Sequence, residues 1–296
     1  MIPNKIHFIF GLAPDFGGKP FSFVHYLAVL SAAIVNRPET ITIHCAHEPD
    51  NRFWAAAKEI AQVRRVDPPA EIFGRPLLHY AHKADVLRLL ILQREGGIYL
   101  DLDTFCVRPF APLRQHATVM GIEPHAGLGN AVILSEPNAE FIRVWLEAYR
   151  AFDPSRWNDL SVRMPYRLAQ QNPAAIRVED PYAFFFPSYD DPMRQWLWQD
   201  ALGVRRRSHG FCNVLWRKLM RSRAQPTRAA AMLRHVVASK AWYYDRLRKS
   251  YCIHLWETLW WDRYLSRLDP ATLRTSEGMF ARLVADVLPE EAFSGL

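Results

Sequence analysis

Strand-like and helix-like patterns alternate along the first hundred residues of the chain. Apolar positions at 5–10 and 41–45 run together as in buried strands, whereas those at 22–35 recur at helical spacing. The same patterns predict a second helix at 53–61 and a short strand at 63–66. Because strands and helices alternate, we expect an α/β fold whose sheet is built from βαβ units.

The stretch at 79–103 predicts a helix, a glycine break and a buried strand. Apolar residues give the helix a wide buried face, Gly96 and Gly97 end it, and a short apolar strand runs into Asp101 and Asp103. Side chains two apart on a strand share a face, so the two carboxylates can converge on one divalent cation. An acidic pair behind a buried strand costs desolvation energy unless a cation or hydrogen-bond donors face it. The pattern therefore predicts a metal site at a strand end, where ligands of α/β sheets bind.

The pattern changes after the first hundred residues. Strands are predicted at 118–122 and 130–135, and an amphipathic helix at 139–152. No repeat or interdomain linker interrupts the chain, so we expect a single domain over 1–296. Within it, the aromatic- and arginine-rich residues 150–250 are expected to form a helical insertion that shapes the acceptor side.

Composition and charge narrow the possible partners. Half of the 296 residues are hydrophobic, which allows a large core. The net charge of +7 is equally compatible with anionic partners and with a solvated basic face. The four cysteines form no CxxC pair, which predicts buried, reduced thiols. No window approaches about 18 uninterrupted apolar residues and no cleavable signal pattern is present. We therefore expect a cytoplasmic protein, with peripheral contact at the inner face of the membrane.

Residues around the acidic pair follow a specific spacing, D-x-x-R, a spacer, then G-G-x-Y-x-D-x-D. This pattern resembles the sugar-binding DxD region of the glycosyltransferase family that contains yeast initiating mannosyltransferases, bacterial capsular sugar transferases and eukaryotic α1,4-galactosyltransferases. Clostridial glucosylating toxins share a related version. The opening IPNKIHFIFG resembles the family's first strand, and CIHLWETLW resembles its closing metal-binding segment. The matching residues of the central pattern are Asp85, Arg88, Gly96, Gly97, Tyr99, Asp101 and Asp103.

The resemblance implies a GT-A fold, a Rossmann-like mixed sheet flanked by helices, with a nucleotide-sugar donor and Mn²⁺ or Mg²⁺. Asp103 is then the direct metal ligand, Asp101 holds the ribose or the water shell of the metal, and His254 is the second protein ligand. A satisfied core histidine is the alternative for His254. Asp85 and Arg88 lie three apart on one helix face and would contact the donor sugar, with a surface ion pair as the alternative.

Other expected site residues lie near both ends of the chain and at Asn130. Asn130 resembles a family position beside donor and acceptor, although a turn role is equally compatible with its place after a glycine. Phe10 stands where the family often has tryptophan. Leu259 stands where the family often has serine, so either Thr258 substitutes as a ligand or the site has one protein ligand fewer. The residues expected to bind the donor or catalyse transfer are Phe8, Phe10, Asp85, Arg88, Tyr99, Asp101, Asp103, Asn130, Trp256 and Trp260.

The expected function is metal-dependent transfer of a hexose, with a UDP-sugar favoured as donor, to a saccharide or lipid-linked saccharide. The family retains configuration and gives an α-linkage, and no motif places a carboxylate nucleophile, so we expect a front-face substitution helped by the departing diphosphate. An effector that glycosylates proteins would use the same chemistry. The remaining alternatives are an inactive nucleotide-sugar-binding protein and a basic nucleic-acid-binding protein. No motif supports the last, and no nucleic-acid partner is expected.

Two residue clusters outside the motif carry alternative interpretations. An aromatic cluster could form a sugar-stacking or lipid-facing wall, or it could be core. A basic cluster could dock the protein on anionic membrane where a lipid-linked acceptor is presented. The aromatic cluster comprises Tyr182, Phe184, Phe185, Phe186, Tyr189, Trp196 and Trp198, and the basic one Arg205, Arg206, Arg207, Arg217, Lys218, Arg221 and Arg223.

Overall fold

The computed structural model describes residues 1–198 and 228–293. Strands and helices alternate in the first hundred residues, as the sequence predicts. The strands are β1 (Lys5–Phe10), β2 (Thr40–Cys45), β3 (Gln62–Arg65), β4 (Glu71–Ile72), β5 (Arg75–Pro76), β6 (Gly97–Leu100), β7 (Thr104–Cys106), β8 (Thr118–Glu123), β9 (Gly127–Ser135), β10 (Arg177–Glu179) and β11 (Cys252–His254).

Helices flank these strands. Those described are α1 (Phe23–Asn36), α2 (Arg52–Lys58), α3 (Tyr80–Glu95), α4 (Glu140–Ala148), α5 (Met164–Gln171), α6 (Pro181–Phe184), α7 (Arg228–Lys249), α8 (Glu257–Trp260), α9 (Pro270–Thr275) and α10 (Met279–Val287). The helix predicted at 139–152 is shorter than expected, because α4 gives way to a 3-10 turn at Tyr149–Ala151.

A mixed sheet forms the centre of the described fold, with seven strands in the order β10-β8-β9-β6-β1-β2-β3. Strand β9 runs antiparallel to both neighbours, while β1 is parallel to β2 and to β6. The carboxyl ends of β1, β2 and β6 therefore lie at one edge. Every residue of β6 is buried, as expected for a strand covered on both faces. The α/β fold class expected from the sequence is confirmed.

A second, two-stranded sheet joins distant parts of the chain. Strand β11 pairs antiparallel with β7, with His254 opposite Thr104 and Cys252 opposite Cys106. Cys45, Cys106 and Cys252 are buried and free, as predicted, whereas Cys212 lies outside the described residues. In the part of the chain that the model describes, no helix combines the length and apolar character needed to cross a bilayer.

The structure decides between the two interpretations of the aromatic cluster for four of its members. Phe184, Phe185, Phe186 and Trp196 are buried in the core. The ring of Phe185 lies so close to Gly129 that a Cβ there would meet it at 2.2 Å. These four side chains therefore hold the sheet together and do not form an exposed wall. The basic cluster, Arg205 to Arg223, lies outside the described residues.

Candidate active site

A cavity of about 290 Å³ opens at the carboxyl ends of β1 and β6. Its lining includes the loop after β1, His25 of α1, the first turns of α3, the acidic residues after β6 and the segment that follows β11. Its position agrees with the general rule that ligands of α/β sheets bind beyond the carboxyl ends of parallel strands.

The two acidic residues converge through a turn. Strand β6 ends at Leu100, and the N–H of Thr104 donates to the carbonyl of Asp101 at 3.1 Å. The N–H of Asp101 still donates to the Ala131 carbonyl of β9, at 2.8 Å, which anchors the turn to the sheet. The expectation that strand alternation aligns Asp101 and Asp103 is therefore wrong in its geometry, although both carboxylates reach the same place.

His254 meets these carboxylates because β11 pairs with β7. Its Nε2 lies 3.1 Å from Oδ2 of Asp103, and ligand atoms of Asp101, Asp103 and His254 all lie within 4.8 Å of one another. Neighbouring ligands on one octahedral ion with bonds of about 2.1 Å stand roughly 3 Å apart, which is the separation of His254 Nε2 and Asp103 Oδ2. The other ring nitrogen of His254 is buried without a hydrogen-bond partner among the described residues.

The electrostatics of this group favour an anionic Asp103. Burial by itself would raise the pKa of the Asp103 carboxyl, but His254 and the N–H of Glu257, which donates at 2.7 Å, lower that pKa to about 2. Burial also opposes the charged form of His254, yet the neighbouring carboxylates raise its pKa. A deprotonated carboxylate beside an imidazole is a ligand set suited to a divalent cation.

Arg88 connects the remaining acidic residues of the motif. It contacts Asp85 Oδ1 at 3.2 Å and Asp101 Oδ1 at 3.1 Å, and it donates to the Asn130 carbonyl at 2.8 Å. The Asn130 amide in turn donates to Asp85 Oδ1 at 2.8 Å. Burial raises the pKa of Asp85 in spite of Arg88. The pair is therefore a buried network and not a surface ion pair.

Tyr99 fixes the orientation of Asp101. Its hydroxyl donates to Asp101 Oδ1 at 2.6 Å, and the guanidinium of Arg88 stacks 4.5 Å from the centre of its ring. Both donors therefore bind Oδ1, and no described residue donates to Oδ2 of Asp101. That oxygen remains available for a ligand on the cavity side.

Three residues that sequence reasoning missed form a second network at the cavity. The Glu257 carboxylate lies 2.7 Å from His25 Nε2 and 3.4 Å from Lys19 Nζ. The N–H of Ser22 donates to His25 Nδ1 at 2.9 Å, so Nε2 carries the proton and donates to Glu257. Glu257 thus connects α1 and the loop after β1 to Asp103. Sequence spacing offers no signal for this, because Lys19 and Glu257 are 238 positions apart.

Glu123 is a further carboxylate that the sequence analysis did not select. It lies at the end of β8, where burial raises its pKa, Asp101 raises it further and His254 opposes the shift. It contributes to the negative charge around His254.

The other expected donor contacts are divided between the cavity and the core. Phe10 lines the cavity, with its ring stacked 5.5 Å from that of Phe16. Trp256 also lines it, and its indole N–H donates to the Pro187 carbonyl at 2.9 Å. Phe8 is fully buried in the core, so the expectation that it contacts the donor is not compatible with its position.

The closing segment presents leucine and threonine to the cavity. Leu259 is exposed there, and Thr258 lines the same wall. Trp260 instead packs beneath Arg194, whose guanidinium lies 3.9 Å from the centre of its ring. The indole N–H of Trp260 is buried without a partner among the described residues, and Trp260 is not among the residues that line the cavity.

Comparison with known proteins places this site in a family. A family model described as a glycosyltransferase sugar-binding region containing a DXD motif matches residues 40–120. The chain is 31% identical over 297 residues to glucan organizing enzyme 1 of Cryptococcus neoformans var. grubii, an alignment that covers 96% of this chain and 70% of that protein. The chain belongs to the DXD glycosyltransferase family. Its mixed sheet is the architecture expected for a GT-A glycosyltransferase.

Solved glycosyltransferase structures share less sequence identity with this chain than that relative does. PaToxG glycosyltransferase gives a TM-score of 0.42 at 21% identity, covering 58% of this chain and 70% of that one. Mouse xyloside xylosyltransferase 1 gives 0.41 at 14% identity, covering 66% and 90%. An active-site mutant of LgtC gives 0.39 at 13% identity, covering 97% and 98%.

Proposed function

We propose that this glycosyltransferase transfers a hexose from a nucleotide-sugar donor, with a UDP-sugar favoured, to a saccharide or lipid-linked saccharide, and retains the configuration of the sugar. The observation that carries the proposal is the convergence of Asp101, Asp103 and His254 at one edge of the cavity. These residues would hold Mn²⁺ or Mg²⁺. The similarity to a protein named for organising glucan supports a polysaccharide or its precursor as the product.

The chain's own residues bind and orient the substrates. When bound, the metal would neutralise the diphosphate as it leaves the sugar. Arg88 and Asn130 both hold Oδ1 of Asp85, so Oδ2 of Asp85 can accept a hydrogen bond from a sugar hydroxyl. The stacked rings of Phe10 and Phe16 line the cavity and would contact the base.

Retention is proposed from the resemblance to the family, and the way the carboxylates are engaged bears on its route. Asp85 is fixed by Arg88 and Asn130, and Asp103 is fixed by His254 and the N–H of Glu257. Carboxylates held in this way position ligands and are poor candidates for attack on the anomeric carbon. We therefore favour front-face substitution, in which the acceptor hydroxyl passes its proton to the departing diphosphate.

A screen of donors tests the proposal. Thermal unfolding would be followed with UDP-, GDP- and CDP-sugars, each with and without Mn²⁺, because a ligand that binds only the folded state raises its stability. We expect a metal-dependent shift with one nucleotide. No shift with any of them would contradict the proposal.

Asp103→Asn should abolish this shift and lower transfer by at least about a hundredfold, because the amide keeps the shape but loses the charge that binds the metal. The matched control is Asp262→Asn, at an exposed carboxylate on the loop after α8. Mn²⁺ affinity from calorimetry and transfer of radiolabelled sugar are the two measurements. Transfer that survives in Asp103→Asn would rule out its assignment as metal ligand.

A catalytically inactive nucleotide-sugar-binding protein is the second candidate, and Leu259 favours it. This side chain occupies the cavity wall where serine is common in the family, and leucine cannot coordinate a metal. Donor binding without hydrolysis or transfer, unchanged in Leu259→Ser, would support that candidate. Transfer by the wild-type chain would exclude it.

A further inference from the structure

Three aromatic side chains run in contact from the protein surface to the cavity: Trp157, His79 and Tyr80, here called the aromatic row. The rings of Trp157 and His79 are 4.8 Å apart, and those of His79 and Tyr80 are 4.7 Å apart. Trp157 is 53% exposed and Tyr80 is 40% exposed. Large rings that touch one another and remain in water are characteristic of a binding surface.

The inner end of the aromatic row belongs to the site already described. Tyr80 lines the cavity together with Asp101. Burial raises the pKa of Tyr80, and the carboxylates of Glu257 and Asp101 raise it further. His79 is the N-cap of α3 and interacts electrostatically with Asp85. A molecule lying on the row would therefore have one end at the centre of transfer.

A buried imidazole beneath the row has no hydrogen-bond partner. His82 is 5% exposed, and its ring lies 4.8 Å from that of Trp157 and 5.1 Å from that of Phe152. Neither ring nitrogen bonds to any described residue. Burial and His79 lower its pKa, so the ring is neutral and offers one donor and one acceptor. Buried polar atoms of this kind are normally satisfied, so an unmet donor and acceptor lie directly beneath the row.

We propose that the aromatic row is the acceptor subsite and that it takes a carbohydrate chain whose pyranose rings stack on Trp157 and lead past His79 to Tyr80. The inference rests on the proposed function and names its acceptor class. A pyranose has one face of C–H groups, which suits an indole, and a rim of hydroxyls, which suits imidazole nitrogens.

The surroundings of the aromatic row favour a carbohydrate over a lipid phosphate. Arg156, the cation next to Trp157 in sequence, already contacts Asp153 and Asp159 at 3.9 and 3.7 Å. An acyl chain would prefer a continuous apolar surface, which the exposed imidazole of His79 interrupts.

The experiment compares Trp157→Ala and Trp157→Phe with a matched control, Trp242→Ala. Trp242 is 52% exposed, but its ring contacts Tyr182 and Phe186 and not the cavity lining. Each protein, with Mn²⁺ and nucleoside diphosphate present, would be titrated with maltohexaose, laminarihexaose and α-1,6-mannohexaose by calorimetry. Nucleoside diphosphate affinity would be measured in parallel.

We expect one of the three hexasaccharides to bind the wild-type protein. Its affinity should fall at least tenfold in Trp157→Ala, and Trp157→Phe should restore most of that affinity. Nucleoside diphosphate affinity should change less than twofold in all variants. If nucleotide binds but no hexasaccharide does, or if Trp157→Ala binds the sugar as tightly as Trp242→Ala, the acceptor assignment fails and donor binding stands. Absence of nucleotide binding in the wild type would instead refute the proposed function.

Discussion

Lys19 is the cavity cation that can most readily change partners. Arg88, by contrast, is held by Asp85, Asp101 and a carbonyl. Lys19 has a longer contact of 3.4 Å with Glu257, and Glu257 keeps His25 if Lys19 leaves. The lysine can therefore turn towards the phosphates of a donor at small cost to its present partner.

Lys19→Met should weaken binding of nucleoside diphosphate in the presence of Mn²⁺ about tenfold, the effect of losing one charge-assisted hydrogen bond. The affinity for the corresponding nucleoside monophosphate should fall less, because this ligand lacks the second phosphate that Lys19 would contact. The measurement is calorimetry. Lys58→Met is the control, since Lys58 also contacts one glutamate at 3.4 Å but lies on the exposed surface of α2. Equal losses in the two variants would contradict the assignment.

The junction between α3 and β6 depends on two glycines. Gly96 has φ +63° and Gly97 has φ +104°, and both values lie in a region that L side chains rarely adopt. A Cβ on Gly97 would also meet the Lys5 carbonyl oxygen of β1 at 2.6 Å. The glycine pair therefore allows the chain to leave the helix and enter the sheet directly beside β1.

Gly97→Ala should lower the free energy of unfolding by about 2–4 kcal/mol, from backbone strain together with the clash against β1. Gly74→Ala is the matched control, because Gly74 also has a positive φ, +72°, but no atom lies within 4 Å of its Cβ position. The control should cost about 1–2 kcal/mol from strain alone. Urea unfolding measures the free energy of unfolding of both variants. Similar losses in the two would contradict the prediction, because they would show that the clash at Gly97 is relieved.

The sequence predicts the local elements well, but it does not predict the network of Lys19, His25 and Glu257. The apolar run and the glycine pair locate β6 and the acidic residues, because both signals are contained within 79–103. The turn at 101–104 was missed, since its bond to Ala131 comes from a neighbouring strand. His254 was selected only through a resemblance, while Lys19 was not selected, because their partners are distant in sequence.

Two buried histidines link the molecule's stability to pH. His7 on β1 donates from Nε2 to the Gly96 carbonyl at 3.1 Å, and its Nδ1 lies 3.2 Å from Nε2 of His44 on β2. Burial lowers the pKa of His7 from 6.5 to about 4 and that of His44 to about 3. Both rings are therefore neutral in the folded protein, and protonation would place two cations in the centre of the sheet.

Because the folded-state pKa values of the two histidines lie below the unfolded value, the unfolded chain takes up protons at a higher pH than the folded protein does. Stability should therefore be complete above pH 6.5 and fall as the pH drops towards 4. Between pH 7 and pH 5 the pair should account for a loss of up to about 4 kcal/mol. His44→Gln keeps a donor for His7 and should remove roughly half of that dependence. Urea unfolding at several pH values measures it, and an unchanged slope would contradict the prediction.

The pairing of β11 with β7 has a consequence for synthesis. Asp103 leaves the ribosome early, whereas Glu257, whose N–H binds it, follows 154 positions later. At translation rates of about 5–20 residues per second, that interval lasts roughly 8–30 s. During this time the nascent chain carries its paired carboxylates without the imidazole that completes the proposed metal site. Arrival of the late strand therefore sets the earliest moment at which a newly made molecule can hold its ion and begin to transfer sugar.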